Sequence, residues 1–379
     1  MNLALRIHRD DALTVTLSGL TADETALLQK IFFKSDRPDR PGFERVKPGV
    51  LSIHGSVHQL QYCLSRLTGH DLVSDRIRSL FASRLDNYLR TDYKIAVKNS
   101  VLDLGARTHI MGILNITPDS FSDGGLFAGH DAAVDHARAM ASQGADIIDI
   151  GGESTRPGAE PLTEEEELRR IIPVIERLAK ELPVPLSVDT YKARVAQKAL
   201  AAGASIVNDI SGLRFSSDMA RVVADHDAAV VLMHIKGTPR DMQANPVYDD
   251  VVGEVMAYLE ASAAIALKAG VGKDRIMIDP GIGFGKTAQH NLEIIDRLDE
   301  FRALGFPIVL GTSRKRFIGT VLNIAEPKDR VEGTAATVAL AVQRGAHIVR
   351  VHDVGSMAKV ARMTNAILKS KLEARSSKS

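Results

Sequence analysis

HIMGILN at 109–115 and ADIIDIGGES at 145–154 are the first two of eight short apolar runs that each end in a polar or charged residue. The other six are VPLSVD (184–189), SIVND (205–209), AVVLMH (229–234), RIMID (275–279), FPIVLGTSRK (306–315) and HIVRVH (347–352). Near-continuous apolar runs are typical of buried parallel strands, and the stretches between them have helical periodicity. Eight such alternations, with reactive side chains at the strand ends, predict an α/β fold of the (β/α)8 TIM barrel type with its active site on one face.

The first hundred residues do not follow this pattern. ALTVTLSG at 12–19 and GVLSIHG at 49–55 predict strands, each followed by a helix, and Thr21 with Glu24 predicts a capping box for the first helix. The charged, proline-rich segment 34–48 predicts a loop. We expect four parts along the chain, namely a small N-terminal α/β domain of unknown role (1–71), a linker helix and hairpin (72–107), the barrel (108–372) and a disordered tail (373–379).

Composition narrows the class of partner. The 379 residues carry a net charge of +1, so no overall field draws the chain to nucleic acid or an anionic membrane. One cysteine, Cys63, excludes a disulfide within the chain and indicates the cytoplasm. No apolar stretch approaches the roughly 18 residues of a membrane span, and the N-terminal apolar run is too short for a signal peptide. The expected partners are small molecules.

Three loops stand out after the predicted strands. The segments 115–130 and 151–163 are rich in glycine and proline and longer than most βα connections. They predict lids that exclude water, with solvated connectors as the alternative. DPGIGFGKT at 279–287 carries three glycines that bring the backbone close to a flat or anionic group, although its lysine spacing is not that of a Walker A loop.

Cationic groups cluster after the last two strands. Arg350 and His352 are two residues apart and share one face of a strand, and Lys315 ends the strand before it. Because phosphates bind after strands seven and eight in many barrels, these groups predict an anion site. His352 alone would equally suit a core histidine, and His234 stays open between internal hydrogen bonding and a role in the site.

Carboxylates and amides end the middle strands. Burying Asp189, Asn208 and Asp279 at a barrel mouth would cost free energy unless these side chains form hydrogen bonds. A ligand with several N–H donors, such as a guanidine-like heterocycle edge, would satisfy them. Asp189 could instead cap the helix that begins at 191–192, and Asp209 could be structural.

Eight motifs occur together in one order, one at each strand end. The chain thereby resembles the dihydropteroate synthase family over the whole barrel, in TPDSFSDGG (117–125), GGESTRPGA (151–159), SVDT (187–190), NDISG (208–212), MHIKGTP (233–239), DPGIGFGK (279–286), GTSRKRFIG (311–319) and RVHDV (350–354). One such motif is a weak signal, whereas eight in order are specific.

The resemblance implies a transferase of folate biosynthesis, a homodimer and a target of sulfonamides. Such an enzyme joins 6-hydroxymethyl-7,8-dihydropterin diphosphate to 4-aminobenzoate, by loss of pyrophosphate assisted by Mg²⁺. The implied roles, by motif position, are the pterin edge for Asp189, Asn208, Asp279 and Lys315, packing beside it for Met233 and Phe284, Mg²⁺ for Asn115, the diphosphate for Arg156, Arg350 and His352, and 4-aminobenzoate for Phe121, Thr155, Pro157 and Arg316. Arg156, Lys315 and Asn115 are the implied catalytic groups.

Two departures from the family pattern accompany this resemblance. Lys236 occupies a position where the family more often has arginine, so the charge remains but the fork geometry is lost. The first hundred residues have no counterpart in the typical short enzyme of this family. Two alternatives stay open, a pterin-binding corrinoid methyltransferase and a non-catalytic pterin-binding paralogue; TPDSFSDGG, STRPGA and TSRKR argue against the first, because that chemistry holds neither diphosphate nor aminobenzoate.

Overall fold

The computed structural model of the chain describes residues 4–9, 12–32, 42–67, 72–98, 100–116, 125–154 and 160–376. The chain divides into two compact units, Met1–Thr91 with Asp299–Gly305, and Asp92–Leu298 with Phe306–Ser379. Within the described ranges, no helix is long and apolar enough to cross a membrane.

The first unit is an antiparallel sheet covered by helices. Its strands are β1 (Ala4–Arg9), β2 (Leu13–Ser18), β3 (Gly42–Lys47) and β4 (Val50–Gly55), in the order β1-β2-β4-β3, and its helices are α1 (Ala22–Phe32), α2 (Val57–Arg66) and α3 (Leu72–Leu89). Alternate strand residues such as Val15 and Leu51 are fully buried in one core with Phe81 of α3. The predicted capping box of α1 is confirmed, since Thr21 N donates to Glu24 Oε2 at 2.7 Å and Glu24 N donates to Thr21 Oγ1 at 3.1 Å.

This unit differs from the sequence expectation in three ways. It has four strands where two were expected, because β1 and β3 also pair into the sheet. β3 lies inside the segment expected to be a loop; its exposed Glu44, Arg45 and Lys47 suit an edge strand, which charge protects from pairing with other chains. α3 packs into this core rather than forming a linker, so the boundary between units falls after Thr91.

The second unit is the predicted TIM barrel, which is confirmed. Its parallel strands are β7 (His109–Asn115), β8 (Ile147–Gly151), β9 (Leu186–Asp189), β10 (Ile206–Asp209), β11 (Ala229–Met233), β12 (Ile276–Asp279), β13 (Val309–Leu310) and β14 (Ile348–Val351). They follow one another in the order β12-β11-β10-β9-β8-β7-β14-β13. A parallel bridge between Ile278 and Ile308 joins the two ends and closes the barrel.

Helices alternate with these strands. They are α4 (Gly125–Ser142), α5 (Glu164–Glu181), α6 (Ala193–Ala202), α7 (Met219–Asp225), α8 (Val251–Lys268), α9 (Ala288–Asp296), α10 (Arg316–Leu322), α11 (Val331–Gln343) and α12 (Val354–Ser376). The stretch 288–304 has helical periodicity throughout, and in the structure it forms α9 followed by 3-10 turns at Leu298–Leu304. The periodicity of the sequence does not reveal α10, because its 7 residues are too few to show a period. α12 continues beyond 373, where a disordered tail was expected, and 377–379 lie outside the described residues.

A hairpin of β5 (Lys94–Val97) and β6 (Ser100–Asp103) precedes the barrel strands. Its Ile95 and Val97 belong to one hydrophobic cluster with inward side chains near the starts of the strands, such as Met111 and Ile147. Because inward positions recur every second residue, the next inward positions along each strand lie nearer its carboxyl end. The apolar core therefore occupies the amino-terminal half of the barrel and leaves the carboxyl ends, here called the mouth, to polar side chains.

Candidate active site

Strand parity brings the predicted polar residues to the mouth. Ile206 faces the hydrophobic cluster, so Asn208 faces the same way two residues later, and Asn208 is paired in register with Asp189 of β9. Asp279 follows Met277 in the same way on β12, and Arg350 follows Ile348 on β14. Four residues predicted from separate motifs thus converge inside one barrel.

Arg350 lies between two carboxylates. Its Nε donates to Asp149 Oδ2 and its Nη2 to Asp189 Oδ2, each at 2.6 Å. Burial lowers the pKa of Arg350, but these two carboxylates more than offset it, so the pKa is raised overall. Burial raises the pKa of Asp189 to about 7, against the opposing effect of the Arg350 cation. The two bonds use only part of the five N–H donors of a guanidinium.

Asp149 is a site residue that the sequence motifs did not predict. It is completely buried, and its Oδ2 also accepts a bond from Asn208 Nδ2 at 3.0 Å. Its position two residues after inward-facing Ile147 was the available signal, because a charge on the inner face of a buried strand needs a partner. The alternative that Asp189 caps α6 is not supported, since Lys192 occupies the N-cap and makes no side-chain cap bond.

Asp279 and Lys315 lie across the other side of the mouth. Asp279 Oδ1 accepts from Gly281 N at 2.7 Å, and burial raises its pKa although Lys315 opposes the shift. Lys315 Nζ donates to Ile282 O and lies 4.8 Å from the ring centroid of Phe284. Burial lowers the pKa of Lys315 to about 8, against the opposing effect of Asp279.

The glycine-rich segment 279–287 is held by protein groups on all sides. Gly281 N and Gly283 N donate to Asp279 and Asn291, each at 2.7 Å, so these amides are not offered to an anion. Its carbonyls accept bonds from Lys286, Lys315, Gln243 and Tyr248. The backbone of this segment does approach another group closely, as expected, but that group is neighbouring protein backbone. A Cβ at Gly281 would lie 1.9 Å from His234 O.

Lys286 and His234 form a buried pair behind this segment. Lys286 Nζ lies 2.8 Å from His234 Nδ1 and donates to Gly281 O at 2.9 Å and Phe284 O at 3.0 Å. Burial lowers the pKa of both side chains well below their ordinary values. His234 therefore has the internal hydrogen-bonding role. Asp209 is likewise structural, since its carboxylate accepts from Ser211 N at 2.7 Å and Leu213 N at 2.8 Å.

His352 is oriented by Ser313. Ser313 Oγ accepts from His352 N at 3.1 Å and lies 3.0 Å from His352 Nδ1. The Ser313 hydroxyl can accept a proton from Nδ1 or donate its own to it, and in the second arrangement a neutral ring carries its proton on Nε2. That tautomer suits donation to an anionic oxygen.

Of the remaining predicted site residues, the structure describes some and not others. Asn115 ends β7 with an exposed side chain, Met233 ends β11 and is buried, and Arg316 begins α10 and is exposed. Phe121, Thr155, Arg156 and Pro157 lie outside the described residues. Lys236 braces the loop after β11, because its Nζ donates to Val247 O and lies 4.1 Å from the Tyr248 ring centroid.

Comparisons with known proteins agree with this geometry. The sequence model of the family described as pterin binding enzyme matches residues 111–352. Dihydropteroate synthase of Bacillus subtilis is 52% identical over 274 residues, which are 72% of this chain and 93% of that protein. The crystal structure of dihydropteroate synthase from Clostridium difficile in the presence of pteroic acid is 51% identical, with a TM-score of 0.67 over 70% of this chain and 98% of that one. That of Xanthomonas albilineans with 4-aminobenzoic acid is 46% identical, with a TM-score of 0.69 over 73% and 99%.

The barrel and its polar mouth thus define a pterin-binding enzyme. The chain belongs to the dihydropteroate synthase family, whose members are transferases of folate biosynthesis. These relatives favour the synthase over the corrinoid methyltransferase that the sequence left open.

Proposed function

We propose that this mouth condenses 6-hydroxymethyl-7,8-dihydropterin diphosphate with 4-aminobenzoate to give 7,8-dihydropteroate and pyrophosphate. The observation that carries the proposal is the convergence of Asp189, Asn208 and Asp279 in one mouth, with Lys315 beside Asp279. Carboxylate and amide oxygens accept from the amino and ring N–H groups of a pterin, and an ammonium donates to its oxygen and ring nitrogens. One mouth thereby matches both kinds of group on the pterin ring.

The diphosphate is proposed to lie toward Arg350 and His352, with Arg156 from the second loop. Support comes from the donors of the Arg350 guanidinium beyond the two that bind Asp149 and Asp189, and from the place of His352 on the same strand face, two residues after Arg350. Cationic and N–H groups there stabilise the charge that develops on departing pyrophosphate. The pterin carbon–oxygen bond is proposed to break before the weakly nucleophilic aniline attacks, so the chain needs no strong general base.

Mg²⁺ is proposed to accompany the diphosphate, with Asn115 as its protein ligand. The donor set fits, because Mg²⁺ favours oxygen ligands and commonly takes one or two from protein and the rest from water and phosphates. Within the described residues, no group of three or more His, Cys, Asp or Glu could form a dedicated metal cage. When bound, the ion would supply charge stabilisation to the leaving group. Calorimetry of pyrophosphate binding with and without Mg²⁺ checks this, and equal affinity in both would remove Asn115 from its role.

The second substrate is proposed to contact Phe121, Thr155, Pro157 and Arg316, and sulfonamides are expected to compete with it. Support comes from motif position and from the place of Arg316 at the start of α10, directly after Lys315. The described base of the second loop is anchored, because Lys192 Nζ donates to Leu162 O at 2.8 Å and to Glu167 Oε2 at 2.6 Å. Competition kinetics with a sulfonamide test the assignment, which noncompetitive behaviour would overturn.

The proposed activity is tested by following 7,8-dihydropteroate formation from the two substrates. Lys315→Ala is expected to lower turnover by about 100-fold, as for loss of an electrostatic group at a reacting centre. Lys268→Ala, at the exposed carboxyl end of α8, is the matched control and should leave turnover unchanged. An inactive wild-type protein would support the non-catalytic paralogue instead.

The protein is further proposed to be a cytoplasmic homodimer. Exposed apolar side chains on the last three helices support an interface between copies, in particular Val321, Leu340, Met363 and Ile367, which are 48–64% exposed. The single cysteine supports a reducing compartment. Analytical ultracentrifugation of the wild type and Met363→Glu tests the dimer, and cell fractionation tests the location; a monomeric wild type would exclude the first.

A further inference from the structure

The orientation of the Asn208 amide is set from inside the barrel. Its Nδ2 lies 3.0 Å from Asp149 Oδ2, and Arg350 Nε lies 2.6 Å from the same oxygen. A carboxylate only accepts hydrogen bonds, so the group that faces it must be the NH₂ of the amide. The amide oxygen is therefore directed away from Asp149, although an amide without such a partner could adopt either orientation.

With this orientation, three positions of the mouth, here called the arc, all present hydrogen-bond acceptors. Asp189 is the register partner of Asn208, and Asp279 lies two strands further round the barrel. With the amide oxygen presented, all three positions offer acceptors to a ligand. Without Asp149 the amide could turn its NH₂ toward the ligand, and one acceptor of the arc would become a donor. Asp149 itself is completely buried and so acts only through Asn208 and Arg350.

We propose that Asp149 is a positioning residue that makes the mouth select a heterocycle edge bearing an exocyclic amino group over the same edge bearing an oxo group. The inference rests on the proposed function, because it places the pterin edge on this arc. An oxo group would set two acceptor oxygens against each other in a buried site. Leaving such groups unpaired costs about 1–3 kcal/mol, which corresponds to roughly 5- to 150-fold in affinity.

The test compares two ligands, 6-hydroxymethylpterin and its 2-oxo counterpart 6-hydroxymethyllumazine, by titration calorimetry. The wild type is expected to bind the amino compound about 10- to 100-fold more tightly. Asp149→Leu should lower this ratio by more than about threefold, because the released amide can donate as well as accept, while Asp189 and Asp279 stay acceptors in the variant and keep part of the preference. Loss of the Arg350 bond in this variant weakens both ligands alike and leaves the ratio unaffected. Asp149→Asn can offer one oxygen to the same two donors, so it should keep the ratio within about threefold of the wild type.

The matched control is Asp146→Asn, which removes a different ion pair of the barrel. Asp146 Oδ1 lies 2.5 Å from Arg107 Nη2, at the amino-terminal end of β8, and its loss should not change the ratio. A wild-type ratio in folded Asp149→Leu would overturn the inference while leaving the proposed function intact. So would a ratio near one in Asp149→Asn, which decides the matter if Asp149→Leu does not fold. A wild type that binds neither ligand would overturn the proposed function as well.

Discussion

Asp189 and Lys315 are held at opposite sides of the mouth with their pKa values moved toward neutrality. Burial raises that of Asp189 to about 7, and burial lowers that of Lys315 to about 8. In each case a partner of opposite charge, Arg350 or Asp279, limits the shift. A ligand that donates to the carboxylate and accepts from the ammonium stabilises both charged forms, so its binding is coupled to the ionisation of both groups.

We therefore predict a bell-shaped dependence of kcat/KM on pH. Asp189 must lose its proton to accept a bond, so kcat/KM should rise as the pH passes about 7. Lys315 must keep its proton to donate, so kcat/KM should fall as the pH passes about 8. Steady-state kinetics between pH 5 and 10 measure both limbs.

Lys315→Arg separates the protein from the substrates in this profile. A guanidinium stays protonated throughout the range, so the fall in kcat/KM should shift to higher pH in this variant, while its maximum kcat/KM drops. Ionisation of the substrates is the same for both enzymes. If the falling limb stays where it is in the wild type, Lys315 is not the group that titrates.

Single residues also show how far the sequence alone leads. Asp189, Asn208 and Asp279 end apolar runs, so strand parity and the position of the run are enough to place them at the mouth. Asp149 lies within such a run, and its partner Arg350 is 201 residues away in the chain. No local pattern links the two, because their contact exists only once the barrel closes.

At the scale of the elements, the glycine-rich loop 280–287 shows that a sequence motif can indicate that another group lies close to the backbone without identifying that group. Gly281, Gly283 and Gly285 all have positive φ, and the sequence indicates only that side chains are excluded there. The structure shows that the backbone of His234 occupies that space at Gly281 and that of Lys236 at Gly285, whereas the Lys315 side chain is the neighbour at Gly283. Carbonyls fixed in this way hold Lys315, which donates to Ile282 O. The loop thus supports the site without cradling a phosphate.

Gly281→Ala is predicted to disrupt this loop, and Gly270→Ala is its control. Both residues have positive φ, at 71° and 97°, so both variants pay a strain of about 1–2 kcal/mol. Only at Gly281 would the new Cβ meet backbone, whereas nothing lies within 4 Å of it at Gly270. Gly281→Ala should therefore melt at a lower temperature than Gly270→Ala and lose most activity. Equal melting temperatures and activities in differential scanning fluorimetry and the synthase assay would contradict the role of close packing.

At the scale of the whole molecule, the first unit is completed by a segment from far along the chain. Asp299–Gly305 belongs to it, so the chain passes between the units at 91–92, at 298–299 and at 305–306. Tyr88 OH donates to Asp299 Oδ2 at 2.6 Å, and Arg84 and Asn87 each donate to Ala303 O at 3.2 Å. The sequence indicates an extra N-terminal domain, but a seven-residue exchange between β12 and β13 leaves no compositional trace, because those residues continue an ordinary helical pattern.

This exchange predicts that the barrel is not independent of residues 1–91. Deleting them removes every α3 partner of the Asp299–Gly305 segment, so a protein of residues 92–379 should unfold at a lower temperature than the full chain.

Tyr88→Phe in the full chain isolates one contact. It removes a hydrogen bond to buried Asp299, which costs about 1–3 kcal/mol and lowers Tm by roughly 2–10 °C. Calorimetry and residual synthase activity after heating measure both. If residues 92–379 match the full chain in Tm and activity, the segment does not depend on the first unit, and the three crossings are incidental to the stability of the barrel.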